Sequence, residues 1–139
     1  MKNLFVTYEI AKALKDKGYT QMCFAKYLEP DKDKEIKNLI TNNPNQPWFN
    51  FNGMFVEPNN TDSNILISAP LYQQLIDWFE ETYNIKIDWG KGENPTNYYP
   101  IIIDYNNKCE HNWKHLPSHW CDTKHMVINK SIEEALRLI

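Results

Sequence analysis

Apolar residues in TYEIAKALKDK, residues 7–17, recur at Ile10, Ala11 and Leu14, the three- and four-residue step of a short amphipathic helix. Thr7 is placed to cap its start and Gly18 to stop it. The next run, QMCFAKYLEP, predicts a strand ending at Pro30. Alternation sets Met22, Phe24 and Lys26 on one face and Cys23, Ala25 and Tyr27 on the other, so Cys23 reads as a small core residue. DKDKEIKNLITNNPNQP is charged and rich in Asn and Pro, and it predicts a loop with at most one helical turn. WFNFNGMFVE resumes a strand pattern with Asn52-Gly53 as a turn signal. Trp48, Phe49, Phe51 and Phe55 stand there at strand spacing, which points to core and not to a ligand shelf.

The best-defined element spans about 69–83. Ser68 is its expected N-cap, and Pro70 in the first turn costs no hydrogen bond because those amides lack helical partners. Leu71, Leu75, Trp78, Phe79 and Thr82 form one stripe, widened by Tyr72, Ile76 and Tyr83, so this helix must be largely covered. Asp77 and Glu81 read as a solvated face. IKIDW alternates as a strand, and GKGENPTN is a loop whose GKGE is too short for a phosphate-binding motif. YYPIIIDYN and HMVIN predict two more strands, and SIEEALRLI a terminal helix opened by a Ser131–Glu134 capping box. With no repeat and no linker, residues 1–139 read as a single α+β domain. An antiparallel sheet packs on the central amphipathic helix (about 69–83), flanked by short N- and C-terminal helices.

Composition narrows the function more than the fold. Hydrophobic content of 42% supports a packed core, and a net charge of -3 gives no general pull toward nucleic acid or anionic lipid. Arg137 is the single arginine against fourteen lysines, so the planar fork that reads guanine or grips phosphate is scarce. A sequence-specific nucleic-acid reader is not expected. No run approaches the ~18 apolar residues of a membrane span, and Glu9 and Lys12 interrupt the N-terminal stretch too early for a signal peptide. The expectation is a cytoplasmic protein, with its odd number of cysteines reduced.

One segment carries candidate chemistry. CEHNWKHLPSHWC, residues 109–121, holds two of three cysteines and three of four histidines. A hairpin folded about His115 sets Cys109 opposite Cys121 and His111 opposite His119, all on one face. Directly opposed Cβ atoms lie ~4.5–5.5 Å apart, which suits tetrahedral zinc, with His115 or His125 as substitutes. The spacing matches neither C-x₂₋₄-C nor H-x₃₋₅-H, and a one-residue slip would dissolve the site. A solvated polar loop is the other reading. A Cys–His nucleophile is disfavoured because no glycine elbow or helix start adjoins the cluster. No catalytic residue is assigned.

The blocks YEIAKALKDKGY with CFAKY (8–27), ISAPLYQQLIDWFEETYNIKI (67–87) and SIEEALRLI (131–139) resemble a family of small phage- and prophage-encoded proteins of Bacteroides-type bacteria. The resemblance implies a phage or prophage accessory protein and brings no activity, cofactor or catalytic residue. The histidine-rich segment lies outside those blocks. The leading expectation is a non-enzymatic protein-binding domain presenting loops 31–47, 91–98 and 110–120 to a protein partner. The alternatives are a zinc module on 109–121 and a homo-oligomer joined through an unpaired 86–89 edge strand.

Overall fold

The computed structural model describes residues 4–29, 39–41, 48–53, 65–93 and 96–139. Among them the chain is α+β, as the sequence pattern predicts, with three helices and two antiparallel sheets. It divides into two compact units, Met1–Leu71 and Tyr72–Ile139.

The first unit is built on α1 (Tyr8–Asp16), which buries Tyr8, Ile10, Ala11 and Leu14. The Thr7 hydroxyl accepts from the Ile10 amide, and Gly18 leaves the helix at φ +79°, the left-handed conformation a C-terminal stop requires. Strands β1 (Ala25–Glu29), β2 (Leu39–Thr41) and β3 (Ile65–Ala69) form a sheet in the order β2-β1-β3. The expected alternation holds: Cys23, Ala25 and Tyr27 are buried while Met22 is exposed. Burial pushes the Cys23 thiol up to about 11, so it stays protonated at neutral pH. Two expectations change here. Leu39–Thr41 is a strand within the run read as loop, its backbone paired with β1. Ser68 is not a helix cap: it sits in β3, where the Asn52 side-chain carbonyl accepts from its amide at 2.9 Å and its hydroxyl accepts from the Asn52 amide at 3.2 Å. The apolar run before Pro70 pairs with β1 as a strand, and the helix begins only beyond Leu71. Asn52 and Gly53 belong to a 3-10 turn (Phe51–Gly53), and Phe55 lies outside the described residues.

The second unit opens with α2 (Tyr72–Tyr83), which buries Tyr72, Leu75, Trp78 and Phe79, and packs along β4 (Ile85–Lys91). Asn84 joins them at φ 56°. Strands β4, β5 (Tyr98–Asp104) and β6 (Cys109–Asn112) form a sheet with β5 in the middle. The ladder pairs Ile87 with Ile102, and α3 (Lys124–Leu136) covers that face of β4 and β5. The sheet expected as one is thus two three-stranded sheets, because strands pair with near neighbours in each half. Among the described residues no strand pairs with the outer edge of β4, but Lys86 and Asp88, paired at 3.7 Å, put charge on that strand.

The largest correction is at the C-terminal end. HMVIN is helical, not a strand, and Ser131 lies inside α3. Thr123 caps α3, its hydroxyl accepting from the Met126 amide at 3.1 Å, while the buried Ser131 hydroxyl donates to the carbonyls of Val127 and Asp88. Val127, Ser131, Ile132 and Ala135 are buried at helical spacing across the supposed strand–helix junction.

Candidate functional site

The position of every histidine and cysteine in 109–121 follows from how β6 pairs. Asp104 ends β5 and its carboxylate accepts from the amides of Asn106 and Asn107 at 3.0 and 3.2 Å, and from the Asn107 side-chain amide at 2.6 Å. This clamp closes the turn, with Lys108 at φ 51°, and sets β6 antiparallel to β5. Cys109 therefore stands opposite Asp104 and His111 opposite Ile102. The chain leaves the sheet after Asn112 and returns at Cys121, which exchanges backbone hydrogen bonds with Tyr98 at 2.7 and 2.9 Å.

The hairpin about His115 is thus replaced by one about the Tyr105–Lys108 turn. Cys109 and Cys121 pair with opposite ends of β5, six strand residues or roughly 20 Å apart. The Trp113 ring centroid lies 6.2 Å from that of His111 and 5.8 Å from that of His119. His115 is exposed in the loop, and His125 lies on α3 edge-on to Tyr72 at 5.4 Å. The quartet Cys109, His111, His119 and Cys121 is not brought together. Among the described residues no three His, Cys, Asp or Glu side chains are grouped to hold a metal ion. The physical reason is that the 110–120 segment offers only a polar strand to pair with, whereas Ile101–Ile103 of β5 offers an apolar one.

A helix start does adjoin the cluster after all, its N-cap Thr123 two residues beyond Cys121. Yet Cys121 is buried, its thiol donates to the His119 carbonyl at 3.6 Å, and burial pushes its pKa up against the opposing pull of Lys130. A nucleophile needs the reverse shift and access.

What the loop builds instead is an ordered ring cluster. His111, Trp113 and His119 stack with interplanar angles of 26° and 22°. His119 faces α3, its Nε2 3.7 Å from the Glu134 carboxylate, and its Nδ1 lies 3.1 Å from the Ser118 hydroxyl. Glu134 is buried and also meets Arg137 at 2.8 Å and Lys130 at 3.6 Å. The Trp120 indole N–H donates to the carbonyls of Trp113 and Lys114 at 3.2 and 3.1 Å, closing the loop on itself. The Trp120 ring lies against Tyr99, 5.9 Å between centroids, and Tyr99 in turn covers Gly90.

Beside Trp120 lies a cleft of about 580 Å³ between two loops. Gly92, Glu93 and Asn97 come from the β4–β5 loop, Lys114, His115 and Trp120 from the 113–120 loop. The Gly92 amide donates to the Asn97 carbonyl at 2.8 Å and so closes the neck of the first loop. Both loops leave the same end of the sheet, where Tyr98 pairs with Cys121. These lining residues fall within the 91–98 and 110–120 loops expected to face a partner. Their grouping around Trp120 was not visible in sequence, since it depends on the return of Cys121 to β5.

The Asp104 clamp makes a pH prediction. Hydrogen bonding, first from the Asn107 side chain, holds the Asp104 carboxyl below the usual carboxylate range, with a smaller contribution from the His111 charge. A depressed folded pKa adds stability that is complete above the unfolded value of ~3.9 and is lost as pH falls through the folded value. Melting temperatures of the Asp104→Asn variant and the parent should therefore converge as pH is lowered below ~4. A gap that stays constant from pH 7 to pH 2.5 contradicts the clamp.

These observations define an α+β protein whose second unit carries a ring-stacked loop beside a polar cleft. Comparison with protein families, with curated proteins and with solved structures finds no match. No helix among the described residues is long and apolar enough to cross a membrane.

Proposed function

We propose that the chain is a non-enzymatic binding module that receives a segment of a partner protein in the cleft between the 91–98 and 113–120 loops. The observation that carries this reading is the cleft itself, with Trp120 beside Lys114 and His115 on one loop and Glu93 and Asn97 on the other. A volume of about 580 Å³ falls within the ~300–1,000 Å³ of small-ligand sites, enough for one or two inserted side chains. A partly covered tryptophan within a charged rim is the usual anatomy of an interface hot spot. Its indole N–H is already bonded within the loop, so Trp120 offers ring surface, while the Asn97 amide can both donate to and accept from a peptide backbone. Charges of both signs on the rim select against a uniformly charged partner. A phage or prophage setting rests on the resemblance of the 8–27, 67–87 and 131–139 blocks alone.

The test is site-specific photocrosslinking in host cells, with the reactive group placed at position 115 or, as a control, at Gln73 on the exposed side of α2. Position 115 should yield one discrete protein adduct that Lys114→Glu weakens about tenfold, as loss and reversal of a rim charge would do. Equal labelling from both positions, or an adduct indifferent to Lys114→Glu, contradicts the reading.

A further inference from the structure

We propose that Asn52 is a modification site gated by the fold of the first unit. Pinned, it keeps its amide; released, it deamidates through a cyclic imide with Gly53, and the acid left behind cannot be pinned again. Asn52-Gly53 is the single Asn-Gly step in the chain. Glycine leaves the amide nitrogen that follows Asn52 unshielded, since no β-carbon stands beside it. As a turn signal the pair predicts a two-residue type I′ hairpin with positive φ, yet it lies in the 3-10 turn Phe51–Gly53 and Asn52 does not take a positive φ. The side chain serves a clamp instead. Its Oδ1 accepts from the Ser68 amide at 2.9 Å, and its Nδ2 donates to the Tyr19 carbonyl at 2.9 Å. The Asn52 amide donates to the Ser68 hydroxyl at 3.2 Å. One half-buried residue thus ties the exit of α1, the 51–53 turn and β3 together within the first unit. Its neighbours Tyr19, Phe51 and Ser68 are buried.

The chemistry needs water and nothing else. The Gly53 backbone nitrogen, having given its proton to solvent, attacks the Asn52 side-chain carbonyl carbon. A C–N bond forms to close a five-membered ring, the bond to the side-chain nitrogen breaks, and that nitrogen takes up a proton and leaves as ammonia. Water then adds to either ring carbonyl. Opening at the side-chain carbonyl gives aspartate; opening at the backbone carbonyl gives isoaspartate, whose main chain runs through the extra carbon. Before any of this, the side-chain carbon must travel from non-bonded contact to a C–N bond of about 1.4 Å, a shift of at least about 1.5 Å. Its own oxygen and nitrogen are both held at 2.9 Å by backbone groups of other segments, so the clamp has to open first. The product then bars closure. Where the Nδ2 amide met the Tyr19 carbonyl, aspartate presents an oxygen, so two acceptors face each other and that carbonyl loses that donor. Isoaspartate also lengthens the turn by one atom. Each opening of the clamp therefore exposes the first unit to a one-way change.

The test incubates the full-length protein at pH 8.0 and 37 °C, folded or in guanidinium chloride. Peptide mapping by mass spectrometry follows asparagine, aspartate and isoaspartate at position 52. The folded protein should lose Asn52 at least about tenfold more slowly than the unfolded chain, because the rate scales with the fraction of time the clamp is open. Ser68→Ala removes the hydroxyl that accepts from the Asn52 amide and should raise the folded rate about two- to tenfold, the factor for one net hydrogen bond. Asn52→Asp, the product made directly, should melt below the parent at pH 8.0. Equal rates in the folded and unfolded parent overturn the gating without recourse to any variant. A Ser68→Ala protein that keeps the parent's circular dichroism and loses Asn52 no faster overturns the clamp. An Asn52→Asp protein that melts with the parent overturns the one-way step. Because no partner is added, failure here leaves the crosslinking result standing, and the reverse is also true.

Discussion

Ile102→Ala is expected to remove about 2–5 kcal/mol of stability, the cost of emptying a buried isoleucine site that cannot fully collapse. Ile102 is fully buried at the centre of β5, with Ile87 on one side of the ladder and His111 on the other. Both neighbouring strands, β4 and β6, and the helix α3 that covers the sheet meet there. A small domain has only about 5–15 kcal/mol to lose, so the variant should sit near its unfolding transition at 37 °C. Denaturant titration should show the midpoint falling with the slope unchanged. Ile103→Ala, one residue on and only half-buried on the opposite face, should cost clearly less. A larger cost at Ile103 than at Ile102 would mean that the register of β5 is wrong by one.

Gly90→Ala is expected to cost about 1–3 kcal/mol, the range for forcing extra volume into a packed site. A β-carbon at Gly90 would fall well inside van der Waals contact with the Tyr99 ring, which lies across the glycine from the neighbouring strand. Tyr99 is buried and backed by Trp120, so its ring has no room to retreat without disturbing that stack. The damage should therefore reach the cleft: Trp120 loses its support, and the protection of its indole N–H should fall along with global stability. In a Tyr99→Ala background the same glycine substitution should be nearly free, because the clash is with that one ring. An undiminished cost there would place the effect in the backbone of β4 instead.

Much of this architecture can be read from residue patterns, and the failures share a cause. Thr7, the Ile10–Leu14 stripe and Gly18 are local signals, and local hydrogen bonds make α1 what they predict. The Cys23/Ala25/Tyr27 face and the alternation in IKIDW likewise follow from period two. HMVIN is only five residues long, too few to separate a strand from a helix, and its true period shows only when Val127 is read together with Ser131 and Ala135. Ser68 is chemically a good cap, but five backbone pairs with β1 outweigh one side-chain bond. The symmetry of CEHNWKHLPSHWC is a symmetry of letters. Folding it about His115 would set polar residues against polar residues, while DYNNK just upstream carries an aspartate able to clamp its own turn. That Asp-Asn-Asn signal could have been found in advance. The cleft could not, because Gly92 and Trp120 are brought together only by the Tyr98–Cys121 bridge.

The cleft depends on β5 holding β6 at one end and Cys121 at the other. Backbone NOEs across the sheet decide this. The expected spectrum links Asp104 with Cys109 and Tyr98 with Cys121, and shows nothing between Cys109 and Cys121. Cross-strand NOEs joining Cys109 to Cys121 and His111 to His119 would restore the hairpin about His115 and contradict the account at its root.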